Sequence, residues 1–234
     1  MAYTPLKTYF NWSTGKDSAL ALYYLLQDSD YRVELFFTSV NAHYGRVSMH
    51  GLRKELLQQQ VEAIGIPGMT VELPAQPTNT EYEALLKEKV EGLVGEGFEC
   101  AAFGDIFLED LKAYREKQLE PYGIKTVFPL WKKDTKELLT EFINLGFKAI
   151  TVCVDGSKLD SSFVGRVIDE SFIADLPDDV DICGENGEFH TFCFDGPYFK
   201  HPVAYTKGEI IMREYDTNGI KSQFWFCDLL PNHK

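Results

Sequence analysis

The sequence has few cysteines, no long apolar run and a shortage of basic residues, and each shortage excludes a class of protein. Its five cysteines are an odd number, lie far apart and form no C-x-x-C pair. That spacing fits neither a disulfide framework nor a zinc site. No apolar run reaches the length of a membrane span. The opening MAYTPLKTYF lacks a signal-peptide pattern. We therefore expect a cytoplasmic protein with reduced thiols and no membrane partner.

Basic residues are outnumbered by acidic ones, 23 against 36, which gives a formal net charge of −13. A surface of this charge repels nucleic acid as a whole, so nucleic acid is not an expected partner. The hydrophobic content of 44% is ordinary for a globular protein. A chain of 234 residues is long enough for one large domain or two small ones. A homodimer stays open as the assembly.

Strand-like and helix-like segments alternate over the first half of the chain, which predicts an α/β fold with a parallel sheet and helices on both faces. The expected strands are 7–12, 33–40, 69–73 and 100–103, and the expected helices are 17–26, 51–64, 81–94 and 106–119. Ligands of such sheets bind at the carboxyl ends of the strands. We therefore expect the loops after Trp12, at 41–48 and at Gly104-Asp105 to converge on one crevice.

The pattern changes after Pro121-Tyr122-Gly123, and a division near residue 125 gives domains 1–125 and 126–234, the second smaller and of α+β type. The expected elements of the second domain are helices at 133–145 and 163–173, strands at 149–154 and from 188 onward, and a hairpin of 209–215 and 220–227 with an Asn218-Gly219 turn. We expect the aromatic residues of the hairpin to be core. The acidic DLPDDVD, residues 175–181, is expected to be a solvated loop.

The stretch STGKDS, residues 13–18, stands between the first strand and the first helix. Backbone N–H groups at such a junction suit an anionic phosphate. Ser13 and Ser18 add hydroxyl donors, Gly15 lets the backbone approach closely, and Lys16 adds a positive charge. The stretch therefore predicts a phosphate-binding loop.

Asp17 is the unusual member of this loop, since a carboxylate beside a phosphate needs a role such as orienting Mg²⁺ or capping the helix. The loop is not a Walker A motif, because Phe10 stands where that pattern needs glycine and Asp17 where it needs serine or threonine. The alternative interpretation is a serine N-cap followed by an acidic first turn.

A second unusual stretch, CGENGEFHTFCFDGPYF, covers residues 183–199. Gly184 and Gly187 flank Glu185 and Asn186, and Glu188 begins an alternating strand. A loop with two carboxylates and two glycines can bind a cation or an amine. The alternative is a glycine-rich turn with solvated acidic side chains.

Both stretches resemble motifs of one superfamily. STGKDS is similar to the S-G-G-x-D-S loop of the N-type ATP pyrophosphatases, the PP-loop superfamily, which cleave ATP between the α- and β-phosphates. GENGEFHT is similar to the G-E-G-G-E-[FY]-E-T motif of the diphthine–ammonia ligase family, a branch of it. The resemblance covers nearly the whole chain, including HGLRKELLQQQVEAIGIP, GDIFLEDLKAYREKQLEPYGIKTVFPLW, TKELLTEFINLGFKAITVCVD and Gly165-Arg166.

The resemblance implies a HUP-type, Rossmann-like nucleotide-binding domain and a smaller C-terminal domain. It implies an enzyme that uses ATP, Mg²⁺ and ammonium to amidate a carboxylate-bearing acceptor, a protein side chain or a small molecule. In the family, that acceptor is diphthine on translation elongation factor 2. Adenylation of the carboxylate releases pyrophosphate, and ammonia then displaces AMP.

The resemblance assigns the STGKDS residues to the nucleotide, and the roles of the other residues are hypotheses from residue type and position. The nucleotide-binding set is Ser13, Thr14, Gly15, Lys16, Asp17, Ser18 and Asp105. The catalytic set is Lys16, Asp17, Glu185 and Glu188, where Asp17 also serves the metal and the two glutamates hold ammonium or accept its proton. The substrate-binding set is Arg166, Gly184, Asn186, Gly187 and His190. Asp105 has helix capping as an alternative role, and Arg166 a surface ion pair.

The chain departs from the family pattern at three positions. Thr14 replaces a glycine and is compatible with the loop if its φ is negative. Asn186 replaces a glycine, and His190 replaces an acidic residue. This version of the motif is similar to a bacterial branch linked with cobalamin salvage, so the acceptor can differ while the chemistry is retained. A corrinoid substrate and nucleotide binding without turnover stay open. His43 and His50 are interpreted as polar loop residues, with adenine contact as the alternative.

Overall fold

Two β-sheets flanked by helices make up the computed structural model, which describes residues 4–48, 50–75, 78–217 and 219–232. The first sheet contains β1 (Leu6–Asn11), β2 (Tyr31–Asn41), β3 (Arg46–Val47), β4 (Gly68–Leu73), β5 (Cys100–Ala102) and β6 (Lys125–Val127). The second contains β7 (Lys148–Asp155), β8 (Phe189–Asp195), β9 (Tyr205–Thr217) and β10 (Ile220–Pro231). The helices are α1 (Lys16–Leu25), α2 (Lys54–Ile64), α3 (Asn79–Gly95), α4 (Glu109–Leu119), α5 (Thr135–Asn144) and α6 (Glu170–Asp175), with a 3₁₀ turn at Glu120–Tyr122.

Strand β1 lies in the middle of the first sheet and pairs in parallel with both β2 and β5. Strands β4 and β6 extend the parallel pairing on either side, and only the short β3 is antiparallel. The predicted α/β fold with a mostly parallel sheet is therefore confirmed. The chain moves outward through β2 to β4 and then crosses back to β5. This reversal places the loops after β1 and β5 at a switch point, where such folds open a crevice.

The two faces of the first sheet bury separate hydrophobic clusters, because successive side chains of a strand point to opposite faces. Tyr9 packs with residues of α3 and α4 on one face, while Phe10 and Trp12 pack with α1 and α2 on the other. The cluster that contains Phe10 and Trp12 extends into the second sheet, where it includes residues such as Ile150 and Phe192. One core therefore joins both halves of the chain, and the division at residue 125 stays a prediction.

An ion pair reinforces this junction between the halves. The Asp228 carboxylate of β10 accepts from the Arg46 guanidinium at 2.9 Å and from the Arg53 Nη2 at 2.6 Å. Arg53 is the N-cap residue of α2. The last strand of the second sheet is thus tied to the helix that follows the small β3 strand.

Several expected elements differ from the observed ones. The helix expected at 163–173 is wrong in its first half, where residue 165 has a φ of +77° and Val167 bridges to Ile150 of β7. Pairing with β7 therefore overrides the local helical pattern, and only Glu170–Asp175 is helical. The helix expected from residue 106 begins at Glu109. Asn218 of the expected Asn-Gly turn lies outside the described residues.

The five cysteines are all buried and free of disulfide bonds, as their spacing indicates. Burial raises the pKa of the Cys153 thiol to about 12. Within the described part of the chain, no helix has the length and apolarity needed to cross a membrane.

Candidate functional site

The STGKDS loop lies at the carboxyl end of β1, where it leads into α1. The N-cap residue of α1 is Gly15, without a side-chain cap, so the alternative of a serine N-cap is wrong. The Ser13 and Ser18 hydroxyls lie 2.7 Å apart, and Ser13 Oγ accepts the Gly15 N–H at 3.3 Å. A Cβ atom on Gly15 would lie 3.0 Å from His50 Cε1 and 3.2 Å from the Thr191 carbonyl. Only glycine fits here without displacing its neighbours.

Thr14 takes a left-handed backbone conformation with a φ of +75°, so the condition under which threonine is compatible with the loop, a negative φ, is not met. A β-branched residue in this region is strained, which explains why the motif it resembles has glycine at this position. The Thr14 side chain is fully buried, and its hydroxyl has no hydrogen-bond partner among the described residues. The Thr14 backbone carbonyl accepts from Gln60 Nε2 at 3.0 Å and from the Cys193 N–H at 2.9 Å.

Gln60 of α2 is fully buried next to the STGKDS loop. Its Oε1 accepts from Trp12 Nε1 at 2.7 Å, and its Nε2 donates to the carbonyls of Thr14 and Cys193. One amide therefore joins the end of β1, the loop and β8. Sequence reasoning missed Gln60. Its signal is its helical spacing from Leu56, which places a polar residue on the apolar face of α2.

Lys16 is 97% buried and its ammonium is fully engaged. Nζ donates to the two Asp17 carboxylate oxygens at 2.9 and 2.8 Å and to the Cys183 carbonyl. Burial lowers the pKa of this ammonium, but Asp17 and other neighbouring anions outweigh burial and raise the pKa above its usual value. The Lys16 backbone N–H donates to Thr191 Oγ1 at 3.0 Å. The first turn of α1 is thus bonded to the second motif.

Glu185 links the second motif to the loop after β5. Its Oε1 accepts the Ile106 N–H at 2.7 Å and the Phe107 N–H at 3.3 Å. Burial raises the pKa of Glu185 to about 7, despite these two donors. The loop after β5 also approaches α1 directly, since a Cβ on Gly104 would lie 3.0 Å from the Ser18 nitrogen. The loops after β1 and β5 therefore meet at the switch point, which confirms the expectation for two of the three loops.

Glu188 is 96% buried beneath the glycine-rich turn. Its Oε1 accepts from the Asp181 N–H at 3.1 Å and from Asn186 Nδ2 at 3.0 Å. Its Oε2 is buried and has no partner within the described ranges. Gly184 and Gly187 have φ values of +69° and +90°, so the turn needs glycine at both positions. Asn186, which replaces a family glycine, has no positive φ and fits without strain.

Asp181 organises this turn from inside the acidic stretch that the sequence predicts to be solvated. Its Oδ1 accepts the N–H groups of Cys183 at 3.0 Å and Glu185 at 3.1 Å. Its Oδ2 accepts from Thr135 Oγ1 at 2.9 Å. The expectation of a solvated loop is therefore wrong for Asp181. An aspartate two residues before a glycine-rich turn is the signal, because its carboxylate can accept the N–H two residues on.

His50 and His190 form a pair over the loop, with ring centroids 4.9 Å apart. His50 Nδ1 lies 3.0 Å from the Thr191 carbonyl. Burial lowers the pKa of His50 to about 3 and that of His190 to about 4. Both rings are therefore neutral near pH 7. His50 is thus part of this cluster, and its interpretation as a polar loop residue, with adenine contact as the alternative, stays a prediction.

Two further site residues lie in ion pairs. Asp105 pairs with Arg115 at 3.1 Å, and the Arg115 guanidinium lies 4.4 Å from the centre of the Phe103 ring. Helix capping by Asp105 is wrong, because Leu108 is the N-cap residue of α4. Arg166 Nη1 pairs with Asp175 Oδ2 at 2.9 Å. The structure brings Asp105 to the switch point and Arg166 to a surface ion pair.

A cleft of about 650 Å³ opens between α3, α4 and the ends of three strands. Asn11, Ser39 and Phe103 line it at the carboxyl ends of β1, β2 and β5, and Tyr114 and Arg115 line it from α4. Aromatic walls with a few polar groups are typical of small-molecule pockets. This cleft suits a planar ring with polar substituents.

No cluster of three or more His, Cys, Asp or Glu side chains suited to a metal ion occurs in the described residues. Magnesium at nucleotide sites needs only one or two protein carboxylates. Asp17 remains the candidate, and both of its oxygens bond to Lys16.

Two family models match the chain. The model described as the diphthamide synthase N-terminal domain matches residues 6–126, and that described as the diphthamide synthase C-terminal domain matches residues 134–222. Each matched region contains one of the two motifs. The STGKDS loop lies in the first region, and Glu185 and Glu188 lie in the second.

Several curated relatives are named diphthine–ammonia ligase. A diphthine–ammonia ligase of Homo sapiens is 27% identical over 148 residues, which is 61% of this chain and 52% of the relative. The Mus musculus diphthine–ammonia ligase is 28% identical over 141 residues, 58% of this chain and 51% of that protein. The Danio rerio protein of the same name is 32% identical over 104 residues, covering 42% of this chain and 39% of the relative. The chain spans about half the length of the first two relatives.

Proposed function

The chain belongs to the diphthamide synthase family, and from this premise we propose that it is an ATP-dependent ligase that amidates a carboxylate with ammonium. The relatives are named for joining diphthine and ammonia. In the proposed reaction, a substrate carboxylate oxygen attacks the α-phosphorus of ATP and the bond to the β-phosphate breaks. Ammonia then attacks the acyl carbon, and AMP leaves.

The observation that carries this proposal is the contact between the two motifs. Lys16 of the loop bonds to the Cys183 carbonyl, and the neighbouring Glu185 bonds to the loop after β5. Residues more than 160 positions apart in the sequence thus share one site at the switch point. An ATP-dependent amide synthesis needs this arrangement, because the activating and the nitrogen-binding groups must act on the same carboxylate.

We assign the polyphosphate of ATP to the STGKDS loop, and its binding there requires an exchange of hydrogen bonds. Gly15 lets the backbone approach, and the Ser13 and Ser18 hydroxyls face each other 2.7 Å apart. The Lys16 N–H and ammonium are bonded to Thr191 and Asp17. Phosphate oxygens would replace these internal acceptors, and the charge of pyrophosphate would be stabilised by Lys16 as it leaves.

Magnesium fits the donor set through Asp17, which Lys16 would release as its ammonium turns to the phosphates. When bound, Mg²⁺ would neutralise charge that develops on the phosphate oxygens. The protein contributes one carboxylate here, and the substrate phosphates supply other oxygen ligands.

We assign ammonium to the two glutamates of the second motif. Glu188 offers a buried Oε2 without a partner in the described residues, which suits an N–H donor. Glu185, with its pKa of about 7, is suited to accept the proton that ammonium must lose before it attacks. We assign Glu188 to binding and Glu185 to proton acceptance.

The aromatic cleft between α3 and α4 is our candidate for the adenosine part of ATP. It begins at the carboxyl ends of β1 and β5, beside the Asp105–Arg115 ion pair. We assign Asp105 to the ribose on this basis. Arg166 remains a proposed substrate contact only if its ion pair with Asp175 opens.

The acceptor is proposed by class, as a carboxylate on a protein side chain or on a small molecule. His190 lies where the family motif has an acidic residue, and it is neutral beside His50. Gly184, Asn186 and Gly187 form the turn beside it. A corrinoid carboxylate is the alternative acceptor, since the chemistry needs only a carboxylate that reaches the loop.

The test is the product formed from ATP in the presence of ammonium and a panel of candidate carboxylates. Release of pyrophosphate and AMP that depends on both ammonium and one carboxylate supports the proposal. Formation of ADP would contradict cleavage between the α- and β-phosphates.

Glu188→Gln separates amide formation from nucleotide binding. Glutamine keeps the oxygen that accepts the Asp181 N–H, so the turn is retained. We expect ATP affinity to be unchanged and amide formation to fall by at least about tenfold, because the ammonium site loses its charge. Turnover equal to that of the unchanged protein would remove Glu188 from this role.

A second candidate function is nucleotide binding without turnover, favoured by the strained Thr14 and by the internal bonds of Lys16. It predicts saturable ATP binding with no pyrophosphate under any carboxylate and ammonium condition. Isothermal titration with ATP, run beside the product assay, distinguishes the two functions.

A further inference from the structure

Strand β9 is an edge strand of unusual exposure. It closes one side of the second sheet, in the order β8-β7-β10-β9, and among the described residues it pairs with β10 alone. Every residue from 209 to 216 is exposed, on both faces of the strand. An exposed edge of this length presents unpaired backbone donors and acceptors to another strand.

The middle of this edge is apolar. Ile210, Ile211 and Met212 are consecutive and are 48%, 37% and 42% exposed, and Tyr215 is 44% exposed. Soluble proteins avoid such a run on a free edge unless it is covered. The expectation that the aromatic residues of this hairpin are core is therefore wrong for Tyr215.

We propose that β9 pairs in antiparallel fashion with β9 of a second copy of the chain, around a two-fold axis at Ile211. This register places Ile211 opposite itself and Ile210 opposite Met212 of the second copy, so all three apolar residues are covered. It places Glu209 opposite Arg213 of the second copy, twice by symmetry. The two four-stranded sheets then join into one sheet of eight strands.

Charge favours this register over its neighbours. An axis at Ile210 would set Lys207 against Arg213, and an axis at Met212 would set Ile210 against Glu214 and Ile211 against Arg213, so that charged groups face apolar side chains. Like charges directly opposite each other destabilise strand pairs. Strand β9 carries Lys207 and Arg213 against Glu209, Glu214 and Asp216, a net charge of −1 in a chain of net charge −13. Two copies therefore meet here with less repulsion than the acidic surface as a whole would give.

Charge reversal tests the pairing by sedimentation of the full chain. We expect the unchanged protein to be a dimer at micromolar concentration. Glu209→Arg and Arg213→Glu should each weaken dimerisation about tenfold, because two symmetric pairs become repulsive at once. The double variant Glu209→Arg/Arg213→Glu should restore it. Glu62→Arg, an exposed reversal on α2, is the matched control and should leave the dimer intact.

Cysteine cross-linking tests the register. In an Ile211→Cys variant the two thiols would face each other across the strand pair with Cα atoms about 5 Å apart, which lies within the range of a disulfide. Tyr215→Cys places the thiols far from each other and should stay monomeric on a non-reducing gel. The native cysteines add little background, because all five are buried. Circular dichroism confirms that each variant is folded.

Three outcomes overturn the proposal. One is a protein that sediments as a monomer up to submillimolar concentration. Another is a dimer that both charge reversals leave unchanged, which would place the contact on another surface. The third is cross-linking by Tyr215→Cys in preference to Ile211→Cys. None of these outcomes bears on the ligase activity, whose residues lie outside β9.

Discussion

The side-chain amide of Gln60 donates to the backbone carbonyl of Thr14 at 3.0 Å, and both side chains are fully buried. Thr14 is held at a φ of +75°. A strained peptide persists only where the surrounding structure fixes it. Gln60 is therefore one of the residues that keep the loop in its observed conformation, together with the Cys193 N–H.

Gln60→Leu should lower the free energy of unfolding by about 2–4 kcal/mol, because it leaves the Trp12 indole N–H and a backbone carbonyl without their buried partner. Urea unfolding measures this change. Gln58→Leu, on the exposed side of the same helix, should change stability by no more than about 0.5 kcal/mol. Equal losses in the free energy of unfolding would show that the buried amide of Gln60 stabilises the protein no more than the exposed amide of Gln58.

Thr14→Gly and Thr14→Ala should differ by about 1 kcal/mol in the free energy of unfolding, with glycine the more stable. Alanine keeps a Cβ atom in the left-handed region, and glycine does not. Both remove the buried hydroxyl, so the difference isolates backbone strain. Thermal or urea unfolding of the two variants gives the value. A more stable alanine variant would mean that the loop shifts to a negative φ.

Glu185→Gln should remove a pH dependence of stability between about pH 4.5 and 7. The folded carboxyl has a pKa of about 7, raised by burial from 4.5. The folded state therefore holds its proton more tightly, so this stabilisation is present below pH 4.5 and is lost as pH rises through 7. Urea midpoints measured across this range compare the variant with the unchanged protein. Parallel pH profiles would place the Glu185 pKa near its ordinary value.

His190→Glu should raise the pKa of His50, which burial and the adjacent His190 hold near 3. The substitution brings a carboxylate next to the imidazole, about 5 Å away, where an opposite charge favours the protonated ring. Titration of the His50 ring protons by NMR gives the shift. His190→Gln is the neutral control and should move the pKa by less.

Much of the scaffold follows from local pattern. The β-α repeat predicts the parallel sheet, and the loops after Trp12 and at Gly104 meet as the switch-point rule requires. Periodic side chains and turn residues suffice for these features, because each is decided by nearby sequence. The short β3 and β6 strands were missed, since two or three residues carry no measurable period.

The contacts within the site were harder to predict because they join distant residues. Lys16 and Cys183 lie 167 positions apart, and no local signal specifies that the carbonyl of one meets the ammonium of the other. The φ of Thr14 was missed for the same reason. Its conformation is imposed by Gln60 and by the Cys193 N–H, both from other elements.

The contacts of β8 decide whether the STGKDS motif can keep its conformation outside this protein. Thr191 accepts the Lys16 N–H, and Cys193 donates to the Thr14 carbonyl. A fragment of residues 1–125 would keep every letter of the motif and lose both of these contacts. Transplanting the six residues to another β-α junction would fail in the same way. The conformation of the STGKDS loop therefore depends on the assembled tertiary structure, and the six residues would not keep it without β8.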